Sequence, residues 1–478
     1  MKTFILLLLS ILVHLPTFAS NTTQTVISAQ QLQEDFTQLY DDLKASHINL
    51  FANVTREEYD NKYAQIAKKL KQPLTQIQAH ILFQTFVAFG EIAHANIAFP
   101  TSAYEYFRNK GGKSFPIYVE IQDKNWFVAE DYSSHSLPKG TQILTINQIP
   151  VSDWLKKLHQ YISADTPAIA ASLLEFQLPQ YLWLHFHNMS TIQERVKITA
   201  LLNGKEITRE ILFISRETLQ NRIDQNAKST SNDAPKLRDY RILSKAVAYI
   251  KPGPFYNAET PTDVWNNVAF VNFIDEAFGY FNENDVTKLL IDVRNNPGGT
   301  NSFSDPLIAW FADKPFKFAS SFLIRSSFHA EQSNKRRLDT SAQGTDAISQ
   351  QLAEAYKANP PGSNFDFEVE EVLPNKGKRF NGDVYVLIDR TSYSNAVSLA
   401  AIVKDYGFGT VIGESSVDYA TTYASMETFT LTHSKIKVGF PKAHIIRPSG
   451  DTIAGPVHPD IILSEVTIDA AVRKILSN

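Results

Sequence analysis

The sequence predicts a multidomain α/β protein, more fully an α+β arrangement in which helical and sheet-rich parts follow one another. Residues 28–99 carry apolar side chains at helical spacing, whereas residues 115–214 form short apolar runs separated by turn residues. From residue 246 onward, continuous apolar strands alternate with helical segments, which is typical of a sheet covered on both faces. A chain of 478 residues also exceeds the roughly 250–300 residues that a single core supports.

These changes of pattern divide the chain into five parts. We expect a signal peptide over 1–19, a helical domain over 20–110, a β-rich domain over 111–215, a linker over 216–245 and an α/β domain over 246–478. The linker rests on the polar, turn-forming residues between 226 and 235. In the helical domain, Thr55 stands three residues before Glu58 and Thr75 three before Gln78, which predicts a capping box at each helix start.

The first residues have the pattern of an export signal. Lys2 gives a positive start, a mostly apolar run extends from Phe4 to Leu15, and Ala19 precedes Ser20 at a suitable cleavage position. The apolar run is shorter than the ~20 residues that a membrane-spanning helix needs, which argues against an anchor. We therefore expect cleavage after Ala19 and a periplasmic or secreted protein, with no stable membrane insertion once the signal is removed.

The composition excludes several functional classes. The net charge of −4 comes from 46 basic and 50 acidic residues without long blocks of one sign, so no nucleic-acid partner is expected. The chain has no cysteine, and therefore neither disulfides nor a thiol nucleophile. His185 and His187 would share one face of a strand, but no third ligand is suitably spaced, which favours surface or groove histidines. Neither a metal nor another cofactor is expected.

A glycine-rich turn follows one of the predicted buried strands. The sequence from Asp292 to Gly299 ends in Asn-Asn-Pro-Gly-Gly. Gly298 and Gly299 would let the backbone bend so that amide N–H groups face a cavity, which is what an oxyanion hole requires. Taken alone, the same residues are also typical of an ordinary tight turn.

A second turn presents a serine between a strand and a helix. The predicted strand from Val384 to Ile388 leads into this turn, and a helix begins at about Asn395. Ser394 therefore lies at or beside a helix N-terminus, where free N–H groups and the helix dipole stabilise developing negative charge. The alternative is that Ser394, or the nearby Ser392, only caps the helix.

Both turns, in this order, resemble the C-terminal-processing (tail-specific) serine protease family. The family's Asp-Leu-Arg-Asn-Asn-Pro-Gly-Gly sequence is similar to the segment from Asp292 to Gly299, and its later elements are similar to Asp405-Tyr406-Gly407, Gly413-Glu414 and Pro459-Asp460. The resemblance implies a crotonase-like ββα catalytic domain over 246–478 and a serine endopeptidase acting on peptides or proteins. It also implies that Ser394 is the nucleophile, with oxyanion donors from the Gly298/Gly299 turn and from the Asn395 amide.

The base differs from the lysine that many members of this family use. Counting from Gly413-Glu414, Tyr419 occupies the lysine position. The branch that includes tricorn protease and the interphotoreceptor retinoid-binding protein uses a histidine after the N-terminal helices, and the segment from Gly90 to His94 resembles it. Imidazole can accept the serine proton near neutral pH because its unperturbed pKa is about 6.5. By itself, a histidine at a helix end is more often a structural, partly buried group.

The third catalytic member is not evident in the sequence. Tricorn-like members have a glutamate shortly before the final Pro-Asp, where this chain has Ile453. Asp451 and Asp405 are the possible orienting carboxylates. Asp405 lies eleven residues after Ser394, on nearly the same face of the predicted helix, but the role expected for it first is to hold the nearby loops.

The middle of the chain suggests how substrate is captured, and two other functions remain open. The segment from Leu137 to Asn147 resembles a PDZ domain, which binds extended chain ends by strand addition, although a generic β-hairpin fits the same residues. One alternative function is non-catalytic binding of a ligand or peptide on the same fold, which the retinoid-binding relatives imply. The other is an esterase, or another hydrolase, that uses the same Ser-His pair.

Overall fold

The structure is a computed structural model that describes residues 25–134, 137–189, 193–230, 236–260, 263–340 and 347–477. The expected signal peptide, residues 1–19, lies outside these ranges. Within them, no helix combines the length and the apolar character that crossing a bilayer requires. The chain is a mixed α/β multidomain protein, as the sequence predicts.

Helices dominate the N-terminal part. The elements are β1 (Val26–Ile27), α1 (Ala29–Ser46), α2 (Arg56–Ala67), β2 (Leu74–Thr75), α3 (Gln76–Ala88) and α4 (Thr101–Asn109). Both predicted capping boxes are present, because Thr55 and Thr75 each accept an N3 amide and receive the reciprocal bond from Glu58 and Gln78. Helix α3 therefore starts at a defined residue and ends just before the segment that carries His94.

The middle part is an antiparallel sheet with two helices against it. The elements are β3 (Ile117–Gln122), β4 (Asn125–Asp131), β5 (Gln142–Ile146), β6 (Ile149–Pro150), α5 (Val151–His159), α6 (Pro167–Asn188), β7 (Arg195–Leu202) and β8 (Lys205–Leu212). The strand order is β3-β4-β5-β7-β8, with β6 paired to β5. The predicted strands over 117–121, 125–129 and 196–202 are confirmed.

One prediction for this region is wrong. His185 and His187 lie on helix α6, not on a strand, because Thr166 caps this apolar segment and Pro167 takes its first turn. The expected linker over 216–245 contains helix α7 (Arg216–Thr230) and strand β9 (Asp239–Ile242). Leu219 of α7 is buried against the middle part, and β9 pairs with the next strand, β10 (Val247–Lys251), so tertiary contacts order residues that are polar in sequence.

The C-terminal part contains two sheets. The elements are β10 (Val247–Lys251), α8 (Val268–Glu283), β11 (Lys288–Asp292), α9 (Asn301–Ala309), β12 (Ser321–Arg325), α10 (Phe328–Thr340), α11 (Ala347–Ala358), β13 (Asn364–Asp366), β14 (Asp383–Ile388), α12 (Asn395–Tyr406), β15 (Thr410–Gly413), β16 (Thr422–Thr430), β17 (Lys437–Ile446), β18 (Ile461–Ile462) and α13 (Ile468–Ser477). The larger sheet has the order β18-β15-β14-β11-β10-β9, parallel except for β9. The other sheet, β13-β12-β17-β16, is antiparallel.

The larger sheet is covered on both faces, as its continuous apolar strands predict. Helices α8, α9 and α12 bury one face, and α13 covers the other. Strands β11 and β14 are parallel neighbours, with Asp292 opposite Leu387. Because both strands end at the same edge of the sheet, the turns that follow them meet there.

The N-terminal helices do not form an independent bundle. Phe36 of α1 and Phe83 of α3 share one core with Phe429 of β16 and with Val438 and Phe440 of β17. Burial of large aromatic side chains against a neighbouring sheet is worth a few kcal/mol for each side chain. The helices are therefore fixed to the C-terminal part, and so is the segment that follows α3.

Candidate active site

Ser394 is the N-cap residue of helix α12, immediately before its first residue, and its backbone is strained. Its φ and ψ are 50° and −122°, and its side chain makes no capping hydrogen bond. Positive φ is unfavourable for a residue with a Cβ, and such strain is concentrated at functional sites. The Ser394 hydroxyl makes no hydrogen bond within the part of the chain that the structure describes. The capping alternative therefore does not account for Ser394.

Ser392 has a structural role instead. Its side chain is fully buried, its hydroxyl donates to the Val293 carbonyl at 2.8 Å, and it accepts the Asp389 amide at 3.2 Å. These bonds tie the end of β14 to the end of β11. Of the two serines in the turn, only Ser394 keeps a hydroxyl without a hydrogen bond.

The glycine turn after β11 packs directly against Ser394. A Cβ added to Gly298 would lie 2.7 Å from the Cβ of Ser394 and 2.7 Å from the amide nitrogen of Asn395. The Tyr393 amide donates to the Asn296 carbonyl at 2.9 Å, which locks the two turns together. Such an approach requires glycine, because any side chain would occupy the space of the serine.

The two glycine amides have different roles. The Gly298 amide donates to the side chain of Asn296 at 2.9 Å, so it is occupied within its own turn. The amides of Gly299 and Asn395 donate to no acceptor among the described residues. Asn395 is also the first residue of α12, where the helix dipole adds positive potential. The amides of Asn395, next to the serine, and of Gly299, in the adjoining turn, are thus free to bind an anion.

The segment that carries His94 is held in place by contacts from helix α2 and strand β17. Gly90 lies against Tyr59 of α2, since an added Cβ would be 2.5 Å from the Tyr59 hydroxyl. Further along, Asn96 forms a β-bridge with Gly439 of β17 through bonds of 3.1 and 2.7 Å. The His94 ring is half-buried, and its Nδ1 is buried without a hydrogen-bond partner in the described part of the chain.

Two aspartates that sequence reasoning missed lie beside His94 and Ser394. Asp165, just before α6, accepts the Ala93 amide at 3.1 Å. Burial raises the pKa of the Asp165 carboxyl, the nearby His94 lowers it, and the negative charge of Asp418 raises it further. Asp418 is only 3% exposed and accepts the amides of Ser394 at 2.5 Å and Tyr419 at 2.9 Å. A chain of interactions thus runs from His94 through Asp165 and Asp418 to Ser394, without a direct hydrogen bond between His94 and Ser394.

The carboxylates suggested by the sequence are engaged elsewhere. Asp405 forms a two-pronged ion pair with Arg447, at 2.7 and 2.9 Å, and also accepts the Ser449 amide. Asp451 is exposed and accepts the Ile453 amide at 3.0 Å. Neither has a contact with His94 in the structure. Helical spacing suggested Asp405, but its partner on the loop after β17 could not be read from the sequence.

The position expected for a lysine base holds Tyr419, which forms a β-bridge with Pro456. Lys404, the nearest lysine in sequence to Ser394, is directed away: its ammonium donates to the His458 carbonyl at 3.0 Å and pairs with Asp460. Neither Tyr419 nor Lys404 therefore supplies a lysine base at the nucleophile turn.

Helix α6 of the middle part holds the nucleophile turn from a third side. Ser172 donates to the Arg390 carbonyl at 3.0 Å, and the Arg390 guanidinium lies 2.9 Å from the buried carboxylate of Glu175. Glu175 also accepts the Ile121 amide of β3, and Tyr393 is buried in the core of the middle part. One ion pair therefore connects the edge of β3 to the turn that carries Ser394.

A buried polar cluster lies behind the helix that Ser394 begins. The Ser304 hydroxyl bonds the side chain of Asn395 at 2.9 Å, and Asn301 donates to Asp305 at 2.8 Å. Asp305 is 8% exposed, and its second oxygen is buried without a partner in the described ranges. Burial raises the pKa of Asp305 to about 7, against a smaller lowering by Asn301.

This raised pKa predicts a pH-dependent stability. The folded carboxyl keeps its proton up to about pH 7, whereas the unfolded one loses it near its ordinary value of 3.8. The folded state therefore binds more protons in that window, and stability falls as pH rises through it, by up to about 4 kcal/mol. Asp305→Asn should raise the free energy of unfolding relative to wild type, more at pH 8 than at pH 5. Urea unfolding at both values checks this, with exposed Asp313→Asn as the control, and an equal difference at both pH values would contradict it.

Comparisons with known proteins show a similar family over part of the chain and a similar fold over most of it. Residues 266–463 match the model of peptidase family S41, whereas no curated protein matches the chain. Mature CPAF complexed with lactacystin shares the fold, with a TM-score of 0.65 and 13% identity over 94% of this chain and 97% of that one. Mature CPAF gives a TM-score of 0.62 and 14% identity over 91% and 93%. Residues 266–463 are thus similar to peptidase family S41, and the chain as a whole has a fold similar to that of CPAF.

Proposed function

We propose that this protein is an exported serine endopeptidase that cleaves peptides or proteins through an acyl-enzyme on Ser394, with His94 as the general base. The strained backbone of Ser394, with its unbonded hydroxyl against Gly298, carries this proposal. Strain of this kind costs about 1–3 kcal/mol and is concentrated at sites where function depends on it. The histidine base corresponds to the tricorn-like branch rather than to the lysine-using members of the family.

The proposed reaction is acyl transfer to water. Ser394 Oγ attacks the peptide carbonyl carbon while His94 takes its proton, and the amides of Gly299 and Asn395 donate to the oxyanion. The imidazolium then protonates the leaving amine, and the acyl-enzyme forms. A water molecule repeats the sequence and releases the acid. No step requires a metal or another cofactor.

An active-site-directed fluorophosphonate tests the nucleophile and the base. We expect wild type to be labelled at Ser394, Ser394→Ala to lose labelling entirely, and His94→Ala to label on the order of 10²–10⁴-fold more slowly. Ser398→Ala, one turn further along α12, is the matched control and should label like wild type. Undiminished labelling of Ser394→Ala would show that Ser394 is not the nucleophile. Labelling without cleavage of any peptide in a substrate profile would indicate an esterase.

The Gly298 contact gives a second test. Gly298→Ala would drive a methyl group into Ser394 at a φ of +85°, so labelling should fall by more than about 100-fold. Gly140→Ala is the matched control, because Gly140 has a similar φ of +80° but no atom within 4 Å of an added Cβ. It should cost about 1–2 kcal/mol of stability and leave the labelling rate unchanged. Equal labelling by both variants would contradict the role of the contact.

The mass of the exported protein tests localisation. The proposed signal, residues 1–19, should be removed during secretion, so the mature chain should start at Ser20. Intact-mass measurement on protein recovered from the periplasm or the medium checks this. A full-length chain that stays in the cytoplasm would contradict export without affecting the proposed chemistry.

A further inference from the structure

The His94 ring needs a hydrogen-bond acceptor that neither its own segment nor its present contacts supply. A histidine base that takes a proton on Nε2 becomes an imidazolium, and its Nδ1–H must then donate as well. In this chain Nδ1 is buried without a partner among the described residues. A buried donor without an acceptor costs about 1–3 kcal/mol, and more when it is charged. The base would therefore be poor unless a carboxylate can reach this nitrogen.

Two carboxylates lie near His94 and Ser394, and both oxygens of one of them already accept hydrogen bonds. Asp418 uses one oxygen for the Ser394 amide and the other for the Tyr419 amide, so its role is to fix the nucleophile turn. Asp165 bonds the Ala93 amide through Oδ2, one residue before His94, and its charge interacts with that of His94. Its other oxygen makes no hydrogen bond to another residue within the described ranges.

We propose that Asp165 is the positioning residue of His94, whose carboxylate accepts the Nδ1–H bond when His94 takes the serine proton. This inference rests on the proposed function and deepens it, because it assigns the third member of the site to the middle part of the chain. For this bond to form, the carboxylate, which already accepts the Ala93 amide, must rotate about its Cα–Cβ and Cβ–Cγ bonds and bring an oxygen to Nδ1 of the ring. The negative charge then stabilises the imidazolium and selects the tautomer with Nε2 free.

The location of Asp165 explains why the middle part is fastened so firmly to the nucleophile turn. Asp165 immediately precedes Thr166, the N-cap of α6, and α6 holds Arg390 through Ser172 and Glu175. The same helix thus fixes the carboxylate next to His94 and the turn that carries Ser394. A shift of about 1 Å in such a carboxylate can cost on the order of 100-fold in rate.

A double-mutant cycle on the full-length protein tests the inference, with the fluorophosphonate labelling rate as readout. Asp165→Asn should slow the labelling of Ser394 by on the order of 10²–10⁴-fold, because it removes the charge and can hold the wrong tautomer. In the His94→Ala background the same change should have less than about a twofold effect, because Asp165 acts only through His94. Asp165→Glu should recover at least tenfold over Asp165→Asn. Exposed Asp153→Asn, on α5 of the same part, is the control and should label like wild type.

The outcomes separate this inference from the proposed function. If wild type labels at Ser394 but Asp165→Asn labels equally fast, or slows equally in the His94→Ala background, the positioning role is overturned while the peptidase stands. If wild type does not label at Ser394, both fail. Thermal melts accompany each variant. Should Asp165→Asn not fold, Asp165→Glu carries the test: labelling that depends on His94 supports the role, and labelling that is indifferent to His94 overturns it.

Discussion

The contact between Gly298 and Ser394 is the constraint on which the rest of the site depends. An added Cβ at Gly298 would lie 2.7 Å from the Ser394 side chain, so the turns that follow two neighbouring parallel strands are in direct contact. At this contact, the Ser394 hydroxyl makes no hydrogen bond among the described residues, and the amide of Gly299 lies in the adjoining turn. The neighbouring contacts hold this arrangement: Asn296 accepts the Tyr393 amide, and Asp418 accepts the amide of the strained serine.

The other groups reach this point from distant parts of the chain. His94 follows a helix whose core is shared with β16 and β17, and the Asn96–Gly439 bridge fixes the end of its segment. Asp165 arrives from the loop before α6, which also clamps Arg390. The N-terminal part thus supplies His94, and the middle part supplies Asp165. Buried contacts hold both parts against the C-terminal part. Loss of any of these contacts would affect the geometry more than the fold.

The sequence predicted those local features for which the backbone geometry requires a particular type of residue. The Pro-Gly-Gly turn, the strand before Ser394 and the capping boxes at Thr55 and Thr75 could all be predicted, because they depend on neighbours within a few residues. The order of these motifs also led to the peptidase family, which the match over 266–463 supports.

What the sequence could not supply depends on tertiary contacts. Asp165 and Asp418 stand in segments without a motif, and only the fold brings them to His94 and Ser394. Asp405 was a reasonable candidate by helical spacing, yet Arg447 binds it from a loop 42 residues away. The sequence of the helix over Arg216–Thr230 is polar enough to suggest a linker. The helix is stabilised by packing against the middle part, which its own sequence does not reveal.

The central claim is that Ser394, His94 and the amides of Gly299 and Asn395 form one reaction centre. A crystal structure of the protein after reaction with a fluorophosphonate tests it most directly, because the bound phosphonate resembles the tetrahedral intermediate. We expect phosphorus bonded to Ser394 Oγ, its charged oxygen about 2.7–3.1 Å from both amides, and His94 Nε2 within hydrogen-bond distance of Oγ. An adduct on another side chain, or one on Ser394 whose oxygen faces solvent with His94 out of reach, would contradict it.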